Sequence, residues 1–100
     1  MLAIKKYRDL IKKEEFFAAH EVFEAFWFPR RKRKERELLI VKGFINAAVA
    51  FELKKRGRDK SARSVWQTYK KFCLLLNEND VDLLELKEFI DNYAKKYLFK

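Results

Sequence analysis

The stretch LLIVKGFINAAVAFEL, residues 38–53, decides the fold. Only Lys42, Asn46 and Glu52 interrupt its run of apolar and small side chains. A membrane-spanning helix needs about 18–20 apolar residues, so this segment is too short and too polar to cross a bilayer. A helix that is apolar on nearly every face belongs instead at the centre of a globular domain. The spacing predicts a helix over 35–56. Gly57 follows it and can take a positive φ at little cost, as the position after a helix end requires. Lys54, Lys55 and Arg56 suit the negative end of the helix dipole. Gly43, Ala47 and Ala50 form a ridge of small side chains that lets another helix approach closely.

The rest of the chain keeps the same period, without the sustained alternation of strands. Two Gly and one Pro leave little turn chemistry for hairpins. A short helix is predicted over 3–12, with Ile4, Tyr7, Leu10 and Ile11 inward. A second spans 14–28 and stops at Pro29, which disfavours helix in the residue before it. A fourth, over 60–77, carries Val65, Tyr69, Phe72 and Leu76 at helical spacing, flanked by Trp66 and Cys73. Asp82 with Glu85 reads as an acidic variant of a capping box for a last helix running to Leu98. Ten Phe, four Tyr and two Trp supply a core at this length. The fold class is therefore all-α: a single-domain bundle of about five helices over residues 1–100, with a long apolar central helix.

The lone Cys73 excludes an internal disulfide and suits a reducing compartment. The opening MLAIKKYRDL has no apolar run of signal-peptide length, so a cytoplasmic protein is expected. Cys73 lies on an apolar stripe, which suits a core residue better than a nucleophile. Ser61 and Ser64 have no His nearby in sequence, so no nucleophile constellation supports catalysis, and whether the chain is an enzyme stays open.

One segment breaks the apolar pattern with chemistry. AAHEVFEAFW, residues 18–27, carries His20, Glu21 and Glu24 among aromatic and small residues. On a helical wheel these fall at about 0°, 100° and 40°, a narrow polar arc. Lys42 and Asn46, four apart on the next helix, are the partners expected to satisfy them. His20, Glu21, Glu24, Trp27, Lys42 and Asn46 are thus the ligand-pocket candidates. Three readings of the cluster stand: a structural polar network, a metal site on His20 and Glu24, and acid–base chemistry on a small molecule. The spacing supports metal weakly, because the His-Glu-x-x-His pattern needs a second His and the chain has one. No cofactor is specified.

The formal net charge is +9, from 24 Lys and Arg against 15 Asp and Glu. Such a balance favours anionic partners such as nucleic acid. The candidate contacts are Arg30, Arg31, Lys32, Arg33 and Lys34, with a second basic stretch at 54–63. Binding of this kind would go to phosphates and weaken steeply with salt. Phe89, Tyr93 and Tyr97 on the last helix form a stripe that a homo-oligomer would bury.

HEVFEAFW, residues 20–27, resembles the His-Glu-x-x-Glu-x-x-Trp signature of domain of unknown function family 309. The resemblance continues through GFIN at 43–46, RGR at 56–58 and SA at 61–62, and covers residues 10 to 76. It implies an all-α bundle with His20, Glu21, Glu24, Trp27, Gly43 and Asn46 at the signature positions, and it supplies no function. Asn46 stands where the family pattern has Gln, Arg58 where it has Asn, and Leu53 where relatives often have a His.

Overall fold

The computed structural model describes residues 2–99. Five helices follow in order: α1 (Ile4–Lys12), α2 (Phe16–Trp27), α3 (Arg36–Lys55), α4 (Asp59–Cys73) and α5 (Val81–Tyr97). A 3-10 turn, Phe28–Arg30, follows α2, and no strand occurs among the described residues. The all-α fold expected from periodicity is the fold observed. No described helix is long and apolar enough to cross a membrane.

Ten of the twenty residues of α3 are buried, because α2 and α4 both pack along it and α5 crosses it. The small-residue ridge receives α4. A Cβ built on Gly43 would lie 2.8 Å from Phe72 Cβ, closer than real side chains approach. Glycine is therefore needed at this crossing.

Aromatic rings link the helices through α3. Tyr7 of α1 stacks on Phe23 of α2 at 4.1 Å between centroids, and both rings stand edge-on to Phe44. Phe44 in turn meets Tyr69 of α4 at 5.5 Å. One turn or two further along α3, Phe51 gathers Phe16, Trp66 and Tyr93. Such pairs add about 0.5–1.5 kcal/mol each beyond the area they bury. Tyr7 is fully buried, and its hydroxyl donates to the Phe44 carbonyl at 2.6 Å, so no polar atom is stranded. On α5, Tyr93 and Tyr97 lie against Phe16 and Phe51, while Phe89 sits beneath Arg8 and Lys12. The stripe expected to suit a homo-oligomer is covered largely from within the chain.

The helix ends explain the boundaries. Gly57, at φ 78°, closes α3 as predicted: its N–H donates to the Lys54 carbonyl and that of Arg58 to Leu53. The same pair of bonds closes α1, with Glu14 at φ 58° in the glycine-like position. Lys55 Nζ donates to the Glu14 carbonyl at 2.9 Å and ties this turn to α3.

Two boundaries differ from the sequence expectation. The α4 helix ends at Cys73 rather than 77, as Leu74, Leu75 and Leu76 switch to three-residue hydrogen bonds. The cause is a clamp from α3. Arg36 donates to the Leu75 carbonyl at 3.0 Å and to both carboxylate oxygens of Asp80. Asp80 also accepts the Asn77 N–H, so the turn is held and α5 starts at Val81. Asp82 makes no cap; it lies in the first turn, where its charge complements the positive helix end.

Gly43→Ala should destabilise the protein, since overpacking costs of about 1–3 kcal/mol exceed a helix-propensity gain of about 1 kcal/mol. Gly57→Ala should cost about 1–2 kcal/mol from backbone strain alone, since nothing lies within 4 Å of its added Cβ. Both appear as lower urea midpoints at unchanged slope.

Alkali should unfold the protein through its tyrosines. Burial holds the Tyr7 hydroxyl well above its usual range, and burial with the nearby Glu14 charge pushes Tyr93 up to about 12. A raised folded value means the native state holds the proton more tightly than the unfolded chain, whose tyrosines titrate near about 10. The Tyr93 share of this stability is complete below pH of about 10 and is lost as pH rises through 12, and the Tyr7 share is lost at higher pH still. Tyrosinate absorbance and circular dichroism should change together across that window.

Candidate functional site

Helices α2 and α3 run antiparallel, so the start of α2 faces the end of α3. Phe16 meets Phe51, whereas Trp27 lies beside Lys42. This register decides what surrounds His20. Its Nε2 stands 3.0 Å from Glu24 Oε2, one helical turn away, and its side chain is only 19% exposed. The Phe17 ring, half exposed, leans on the imidazole at 5.6 Å.

The His20 ring lines a groove of about 200 Å³ between α2 and α3. Phe16 and Phe17 line the α2 side with it, and Val49, Glu52, Leu53 and Arg56 line the α3 side. Arg56 Nε donates to Glu52 Oε2 at 2.7 Å, so the far wall carries an ion pair. Glu24 itself lies outside the lining and acts on the ring. A carboxylate at Nε2 favours the Nε2–H tautomer and leaves Nδ1 as the acceptor for a further partner. Leu53 faces this groove and adds an apolar side chain to its α3 wall.

The other pocket candidates lie elsewhere. Glu21 is exposed, about 100° around the helix from His20. Lys42 Nζ rests over the Trp27 and Phe72 rings at 5.7 and 5.9 Å. Asn46 Nδ2 donates to the Lys42 carbonyl at 2.8 Å, within its own helix. Neither Lys42 nor Asn46 is bonded to the carboxylates among the described residues: Lys42 lies over Trp27 and Phe72, and the Asn46 amide is turned back onto its own helix. Among the described residues, no group of three or more His, Cys, Asp or Glu could hold a metal ion. His20 and Glu24 are thus a two-donor set, short of the three protein ligands usual at catalytic zinc.

The basic stretch after α2 has a local role. Pro29 has no N–H to continue the helix, which leaves carbonyls without partners. Arg30 Nη1 donates to the Phe26 carbonyl at 2.7 Å, and Arg31 Nη1 to Phe28 at 2.6 Å. Their guanidinium groups also cover the Phe26 and Phe28 rings. Arg33 lies 3.9 Å from Glu35. Lys32 and Lys34 are exposed.

A second polar cluster was missed by the sequence reading. Tyr69 donates its hydroxyl to Asp91 Oδ1 at 2.9 Å, and Lys87 donates to Asp91 Oδ2 at 2.7 Å. Cys73, one turn beyond Tyr69, lies beside them, and burial pushes its thiol up to about 11. The four-residue spacing of Lys87 and Asp91 was the available signal. Its pairing with Tyr69 depends on helix packing and has no local signature.

The model of the family described as Domain of unknown function (DUF309) matches residues 4–65, and the chain belongs to that family. No curated protein and no solved structure matches the chain. The matched span contains every residue of the α2–α3 groove. It excludes Tyr69, Cys73, Lys87 and Asp91.

Cys73 should be unreactive in the native protein, because the thiolate is the nucleophile and burial suppresses it. Alkylation at pH 8 should be slow in buffer and rapid in denaturant. Fast native labelling would contradict the burial.

Proposed function

We propose that this chain binds a small polar molecule in the α2–α3 groove, with His20 as the recognising side chain. The observation that carries this reading is the His20–Glu24 contact of 3.0 Å on the wall of a groove, rather than in the core or on open surface. A largely shielded imidazole oriented by a carboxylate gives a directional hydrogen bond in a site of reduced solvent access. The opposing Glu52–Arg56 pair offers both charge signs, which suits a zwitterion. A cavity near 200 Å³ is smaller than the roughly 300–1,000 Å³ of drug-sized pockets. The ligand class is therefore molecules of about amino-acid size. Position within the matched span supports a role shared across the family.

Nucleic-acid binding ranks below this reading. Arg30, Arg31 and Arg33 are engaged within the chain, and among the described residues Lys32 and Lys34 make no ion pair.

The test is a calorimetric and thermal-shift screen of amino acids, short carboxylic acids and amines. His20→Gln should weaken the best binder on the order of tenfold, the loss of one charge-assisted hydrogen bond. Glu24→Gln should weaken it less and leave folding nearly unchanged, as partly exposed pairs contribute about 0–1 kcal/mol. A large stability loss in Glu24→Gln with no binder found would sink the proposal.

A further inference from the structure

The backbones of α4 and α5 stay apart, although both pack on the rest of the bundle. The gap is a cleft of about 470 Å³, within the range of small-molecule sites. Its floor is apolar: Trp66 and Ala94, with the Phe99 ring 6.0 Å from Trp66. One corner holds the Tyr69–Asp91–Lys87 network, in which both Asp91 oxygens are already bonded. Lys70 and Lys95 stand on opposite walls, one from each helix, and make no ion pair among the described residues.

Two large apolar side chains remain in water at this cleft. Leu74 is 84% exposed and Phe99 51% exposed. Covering such side chains is favourable by about 25 cal/mol per Å². Three lysines against one aspartate set the sign of the charge a ligand would bring. The single carboxylate is already satisfied, so a cationic or neutral head would find no free acceptor among the charged groups.

We propose that the α4–α5 cleft is a second binding site, which takes an amphipathic anion. Its carboxylate or sulfonate head lies between Lys70 and Lys95, and its apolar body covers Trp66, Leu74 and Phe99. This assignment stands independently of the α2–α3 groove, and its residues from Trp66 onward lie beyond the matched family span. It also gives the chain's positive charge a local use that needs no nucleic acid.

The probes are anilinonaphthalene sulfonate, decanoate and decanol, applied to the full chain. The sulfonate dye should fluoresce on binding and decanoate should displace it. Decanoate should also change Trp66 emission, read in a Trp27→Phe background because the chain has two tryptophans. The double change Lys70→Gln and Lys95→Gln touches only exposed side chains. It should weaken decanoate on the order of tenfold or more and leave decanol unchanged. Leu74→Glu should weaken dye and decanoate alike. His20→Gln should change neither.

Several results would overturn the assignment. They are the absence of dye and decanoate binding, equal affinity for decanoate and decanol, and insensitivity to the two lysines. Loss of decanoate binding in His20→Gln would place the anion in the other groove. A dimer that Leu74→Glu converts to monomer, with no decanoate bound, would assign the cleft to a second copy of the chain.

Discussion

Gly43 sets how closely α4 packs onto α3, and the placement of the other helices follows from that contact. With a hydrogen in place of a side chain, Phe72 can lie almost against the α3 backbone. That approach brings Tyr69 onto Phe44 and Trp66 onto Phe51. The opposite side of α3 is then free for α2, whose Phe16 and Phe23 reach the same two phenylalanines. Two Phe residues of α3 thus serve as the meeting points for rings from α1, α2, α4 and α5. A larger residue at position 43 would displace α4, and the walls of both proposed sites are built on helices that this contact positions.

The helical bundle was legible because its information is local. Residues 38–53 announce a buried helix by composition, Gly57 marks its end, and Pro29 stops the helix before it. The same cues failed where a distant residue intervenes. Nothing near 74–80 indicates that Arg36 captures the Leu75 carbonyl and Asp80, yet that clamp ends α4 four residues early and sets the start of α5. Asp82 and Glu85 had the spacing of a cap, but Asp80 already occupies that end of the helix.

The candidate site was legible in part for the same reason. His20 and Glu24 are one turn apart on one helix, so their contact follows from the helical period. The groove's other wall does not. Lys42 and Asn46 stand out as polar residues in an apolar helix, whereas Glu52 and Arg56 belong to its charged end and carry no local cue to a site. The antiparallel register brings the latter pair to the same groove as His20. Likewise, Tyr69 reads as one more aromatic at core spacing, and only the fold gives it Asp91 as a partner. The basic run after Pro29 looked like a surface for an anion, yet its first two arginines complete a helix end. Residue type revealed the chemistry available; register determined which groups share a site.

The proposed role of the α2–α3 groove rests on Glu24 orienting His20. Because His20 is the only histidine in the chain, its ring nitrogens give unambiguous NMR signals. The measurement is the tautomer of His20 at neutral to mildly alkaline pH in the native protein and in Glu24→Gln. The expected result is a hydrogen held on Nε2 and a free Nδ1 acceptor, with that preference reduced in the variant. A ring that samples both tautomers as free imidazole does, identically in the two proteins, would contradict it.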